Sequence, residues 1–131
     1  MPARVLIAED QRLFRQSLRL LLEREPDLRV VGEATDGREA FDLAMKTKPD
    51  MILMDLGMPE MDGWIATEKL KSHEATKSIP LYALTAHTLP IERKRALEAG
   101  CDGYLSKPIH MKGFVDVIDE VFSGIGNNKV S

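Results

Sequence analysis

Four apolar runs of this chain stop on a residue that can do chemistry. "RVLIAED" stops on the acidic pair Glu9-Asp10, "MILMD" on Asp55, "LYALT" on Thr85 and "GYLSK" on Lys107. A carboxylate nucleophile, further carboxylates to hold a hard cation, a hydroxyl donor and an ammonium make up a set suited to handling a phosphoryl group. They serve one reaction only if the elements carrying them end at one place.

The sequence pattern supplies such elements. Strands are predicted at Arg4 to Glu9, Leu28 to Ala34, Met51 to Asp55, from Ile79 through residue 86, and at Gly103 to Ser106. Between them run helical periodicities. Gln11 to Glu23 places Phe14, Leu18, Leu21 and Leu22 on one face, and Pro26 ends that helix. Asp36 caps a second helix with Glu39 completing a capping-box-like pair, and Ala40, Leu43 and Ala44 face inward. Asp62 to Lys71 forms a third helix with Ile65 and Leu70 buried. Pro90 opens a fourth that ends at Ala99-Gly100, and a fifth runs from about Met111 to Phe122. The closing "SGIGNNKVS" reads as a frayed tail.

Five strands alternating with five helices through short loops imply an α/β domain, a doubly wound (βα)5 parallel sheet covered on both faces. The unalternating run Met51-Ile52-Leu53-Met54 suits a central strand buried on both sides. All four chemically equipped strand ends then fall on the carboxyl edge of the sheet, where ligands bind in such folds. Carboxylates crowded there repel one another unless a cation is present. Mg2+ prefers oxygen ligands, keeps several waters and fits a donor set of Asp10, Asp55 and the Gly57 carbonyl. Lys107 supplies positive charge to a phosphoryl oxygen, Thr85 donates a hydrogen bond to another, and Asp55 is the natural nucleophile.

Composition removes competing classes. At 131 residues the chain fits one domain, 44% hydrophobic and 30% charged, with no apolar run long enough to span a bilayer. The N-terminal "MPARVLIAED" is neither a signal nor a transit peptide, so a cytoplasmic protein is expected. A net charge of -3 with scattered basic residues is a poor nucleic-acid footprint. The single Cys101 excludes an internal disulfide and reads as structural.

The residues around these strand ends resemble the response-regulator receiver domain of two-component signalling and phosphorelays. The resemblance spans residues 4 to 122 and is carried by Glu9-Asp10, "MDLGMPEMDG" around Asp55, "LTAH" with Thr85, and "GYLSKP" with Tyr104 and Lys107. It implies a flavodoxin-like receiver fold with strand order 2-1-3-4-5 and a receiver over residues 1–124, leaving 125–131 as a flexible tail. It implies that Asp55 accepts a phosphoryl group from a histidine kinase or histidine phosphotransfer protein. Mg2+ would lie at Glu9, Asp10, Asp55 and the Gly57 carbonyl, with Thr85 and Tyr104 as the switch pair. The bond before Pro108 would be cis, aiming Lys107 into the cleft. The expected activity is that of a switch which catalyses its own phosphorylation and dephosphorylation rather than a turnover enzyme.

The first half of the chain resembles receivers that precede a DNA-binding output domain, the second half those of hybrid kinases and stand-alone regulators. The short segment after Phe122 favours a single-domain regulator. Such a regulator would be mainly monomeric, would signal to a protein partner, and could dimerise on phosphorylation through the face of the fourth helix, fifth strand and fifth helix, where Arg93, Lys94, Tyr104, Asp119 and Glu120 lie.

Other residues have plainer readings. Met51, Met54, Met58 and Met61 are expected to fill core gaps rather than bind a soft metal. His73 and His110 are surface residues. His87, two positions after Thr85, is placed to influence water access to the phosphoryl group, a passive loop role being the alternative. Trp64 packs at a helix start near the cleft. A haloacid-dehalogenase-type phosphatase would need an acid at Gly57, and a flavin-binding domain would need a phosphate-cradling loop where Glu9 and Asp10 stand.

Overall fold

The computed structural model describes residues 2–56, 58, 63–85, 90–107, 109, 114 and 116–119. Its elements follow the order β1 (Ala3–Ala8), α1 (Arg12–Glu23), β2 (Leu28–Ala34), α2 (Gly37–Thr47), β3 (Met51–Asp55), α3 (Gly63–Ser72), β4 (Leu81–Thr85), α4 (Pro90–Glu98) and β5 (Gly103–Ser106). Beyond β5, residues 114 and 116–119 also have helical backbone. All strand pairings are parallel, as the pattern predicts, and the sheet order is β2-β1-β3-β4-β5, as the resemblance implies.

Strand periodicity divides the core. Leu6, Ala8, Ile52, Met54, Leu81 and Ala83 point to the side covered by α2, α3 and α4, while Val5, Ile7, Met51, Leu53, Tyr82 and Leu84 point to the side of α1 and Phe114. Residues 51–54 are fully buried, each such apolar side chain contributing about 1.5–3 kcal/mol. The helix caps follow local chemistry. Asp36 Oδ1 accepts from Glu39 N at 2.8 Å, and Glu39 Oε1 reaches back to accept from Thr35 N at 2.7 Å. Gly100, at φ 108°, closes α4 in a left-handed conformation that favours glycine.

Two readings shift. β4 begins at Leu81 rather than Ile79, because Pro80 has no N–H to give the ladder, while Leu81 N donates to Asp102 Oδ2 at 2.8 Å. In α3, Leu70 is buried as expected but Ile65 is 45% exposed. Gly63, Ala66, Thr67 and Leu70 form the buried face, so small residues meet the sheet and Ile65 lies one position outside it. The fifth helix, expected over Met111 to Phe122, falls largely outside the described residues. No helix among the described residues is long and apolar enough to cross a membrane.

Candidate functional site

Parallel register brings the reactive strand ends together. Ala8 of β1 pairs with Met54 of β3, so Glu9 and Asp55 follow side by side, and Thr85 of β4 pairs with Ser106 just before Lys107. Lys107 N donates to Thr85 O at 2.8 Å, which extends the ladder to the residue that carries the ammonium. Arg15 of α1 secures the other side: Nη1 donates to Glu9 O at 3.0 Å, and Nε pairs with Glu33 Oε1 at 3.0 Å.

Ligand oxygens of Glu9, Asp10 and Asp55 lie within 4.8 Å of one another. At an effective dielectric constant of ~20, two unit charges at that separation repel by about 3 kcal/mol, less for the exposed Asp10, which water and salt screen. Lys107 answers part of this charge. Its Nζ is 2.6 Å from Glu9 Oε1 and 3.5 Å from Asp55 Oδ2, and 4.6 Å from the centre of the Phe14 ring.

Glu9 has no exposed surface. Its Oε2 accepts from Gln11 N at 2.8 Å, whereas Oε1 takes no hydrogen bond of good geometry and meets Lys107 as an ion pair. Burial pushes the Glu9 carboxyl up to about 6; Lys107 and the Gln11 N–H pull it down, and the Asp55 charge pushes it further up. Three carboxylates whose ligand oxygens lie within 4.8 Å of one another, with one Lys107 ammonium to offset them, offer oxygen ligands that fit a hard divalent cation such as Mg2+.

Of the sequence-derived site residues, Glu9, Asp10, Asp55 and Lys107 are brought into one cleft, and Thr85 stands half-buried at the neighbouring strand end. Tyr104 is half-buried on the α4 side of β5, with the Arg93 guanidinium 5.5 Å from its ring centre. Gly57, His87 and Pro108 lie outside the described residues, as do Met61, His110 and Glu120. Met51, Met54 and Met58 are core, and His73 is exposed. Cys101 is buried, and burial pushes its thiol up to about 11, which suits an inert structural residue. Trp64 packs against the core beneath the Arg95 guanidinium, 4.1 Å from its ring centre.

Sequence reasoning missed Gly63. Its N–H donates to Leu56 O at 3.1 Å, and a Cβ there would overlap Asp55 O and Leu56 Cα. Bare backbone at the start of α3 lets the helix lie directly against the end of β3. Only the Asp62-Gly63 turn signal pointed toward this residue.

Residues 5–119 match the response regulator receiver domain. This chain belongs to that family. Receivers are parts of response regulators in two-component signalling, phosphorylated on an aspartate by kinases, and interact with histidine kinases or phosphotransfer proteins and with downstream targets. The chain is 36% identical over 118 residues to the polar-differentiation response regulator DivK of Brucella anthropi, covering 90% of this chain and 94% of DivK. It is 41% identical over 105 residues to a protein-glutamate methylesterase/protein-glutamine glutaminase of Carboxydothermus hydrogenoformans, covering 80% of this chain but only 29% of that protein. Receivers thus occur among its relatives both nearly alone and as a minor part of a larger chain. The receiver domain of a sensor histidine kinase of Pseudomonas aeruginosa PAO1, with a magnesium ion coordinated in its active site cleft, superposes with a TM-score of 0.83 at 29% identity, over 92% of this chain and 97% of that one.

Proposed function

We propose that Asp55 is the phosphoryl acceptor of this receiver, with Glu9, Asp10, Asp55 and the Gly57 carbonyl holding Mg2+. The observation that carries this reading is the placement of Lys107 Nζ between Glu9 Oε1 and Asp55 Oδ2 beside a third carboxylate. When bound, Mg2+ supplies charge neutralisation for the transferring group.

The chain's own residues do the rest. An Asp55 carboxylate oxygen attacks phosphorus in line; the new O–P bond forms as the donor's P–N bond breaks, and the imidazole leaves with the electron pair. Lys107 offers its ammonium to a phosphoryl oxygen, and Thr85 donates its hydroxyl to another. Tyr104 then turns inward and repacks the surface of α4, β5 and the helix beyond, a population shift that needs only a few kcal/mol of differential binding. Later attack by water on phosphorus breaks the Asp55 O–P bond and returns phosphate and the free carboxylate. The donor is a histidine kinase or histidine phosphotransfer protein, and a downstream protein in the cytoplasm reads the Tyr104 face of a mainly monomeric regulator.

The test is labelling by a small phosphodonor such as phosphoramidate. The wild type should gain a hydroxylamine-labile phosphoryl group in Mg2+ and lose most of the rate in excess chelator, and Asp55→Asn should gain none. Undiminished labelling of Asp55→Asn refutes the acceptor assignment.

A further inference from the structure

Among the described residues, the Lys107 ammonium meets Glu9 Oε1, Asp55 Oδ2 and the Phe14 ring. The first two are carboxylates with other duties in the proposed reaction, since Glu9 and Asp55 both belong to the proposed cation site. The third has none. Lysine is a flexible, strongly hydrated cation on a four-carbon stem, and once its carboxylate partners are engaged, entropy and solvation favour its departure into water. An aromatic face attracts an ammonium without carrying a charge that a divalent ion could claim.

The position of Phe14 suits this task. It lies in the first turns of α1, half-buried, on the wall that Lys107 faces from the end of β5. Leu18 and Leu21 continue the same helix face, and with Ile109 they line a cavity of about 250 Å3 next to the ring. The ring also packs against the apolar core on the α1 side of the sheet while presenting a face to the cation.

We propose that Phe14 is a positioning residue for Lys107, holding its ammonium in the cleft by a cation–π contact while Glu9 and Asp55 are engaged. The proposal rests on the reading of Asp55 as phosphoryl acceptor. Phe14 itself touches neither donor nor phosphoryl group. Its effect is on how much of the time the ammonium stands ready for the transferring oxygens.

Fluorine substitution on the ring weakens its electrostatic attraction for a cation stepwise with little change of shape. The experiment replaces Phe14 by mono-, di- and trifluorophenylalanine in the full chain and adds Phe14→Leu. It reads the initial rate of phosphorylation by phosphoramidate in Mg2+, with Mg2+ affinity and the thermal midpoint alongside. A small donor removes any effect of Phe14 on docking of a kinase. The rate should fall step by step with fluorination, by about fivefold at the trifluoro ring, as expected for loss of a partly desolvated cation–π contact. Phe14→Leu should fall at least as far, with Mg2+ affinity and the trifluoro midpoint within error of wild type. A flat rate across the fluorinated series, or a fall that follows only the folded fraction, overturns the proposal while wild-type labelling leaves the Asp55 reading intact. A wild-type chain that takes no label overturns both.

Discussion

Lys107 Nζ stands nearer to Glu9 Oε1, at 2.6 Å, than to Asp55 Oδ2, at 3.5 Å, so the cleft's ammonium is paired first with the buried acid at the end of β1. That pairing moderates but does not cancel the effect of burial, which holds the Glu9 carboxyl at about 6, above its ordinary 4.5. With Glu9 a ligand as proposed, proton and cation compete for it as pH falls through about 6.

A raised carboxyl favours the folded state where Glu9 is protonated. Its stabilising contribution is complete below about 4.5 and is lost as pH rises through about 6. Relative to Glu9→Gln, the wild type should lose urea-denaturation midpoint across that window and hold a constant difference above pH 7. Mg2+ affinity of the wild type should weaken as pH falls through about 6. A wild-type minus Glu9→Gln difference that is flat from pH 4 to 8 contradicts the buried, raised carboxyl.

Gly63→Ala should destabilise the domain by about 2–3 kcal/mol, because the added methyl would meet backbone at Asp55 and Leu56 rather than a side chain able to move. The same displacement should shift Asp55 and weaken Mg2+ binding severalfold. Urea denaturation with a metal titration checks both, and wild-type values in the two measurements would show that α3 does not pack so closely on β3.

Tyr104 sits between Arg93 and the α4 side of the core. Tyr104→Ala should accept phosphate at close to the wild-type rate while losing most of the phosphorylation-dependent change in amide exchange over residues 90–106. A full exchange response in the variant would remove Tyr104 from the switch.

Much of this was legible because the relevant signals are local. The unbroken run 51–54, the Asp36–Glu39 cap, Pro90 and Gly100 each report on their own few residues, and alternation of strand and helix then places the strand ends on one edge. Ile65 was misplaced because "WIATEKL" offers apolar residues in two helical phases. What chooses between them is the close approach of α3 to β3, set by Gly63, a tertiary fact. The Phe14–Lys107 and Arg15–Glu9 contacts escaped for the same reason. Long side chains from distant elements meet there through packing, which no spacing in the sequence encodes.

The central claim is that the phosphoryl group resides on Asp55, and chemical trapping tests it most directly. Borohydride reduces an aspartyl phosphate to homoserine and leaves free carboxylates untouched, so peptide mass mapping after phosphoramidate treatment in Mg2+ reads the acceptor's position without mutation. Homoserine should replace Asp55, in proportion to phosphate incorporated, with Glu9 and Asp10 unchanged. Reduction at Asp10 or any other acid, or labelled protein whose Asp55 survives intact, would contradict the account.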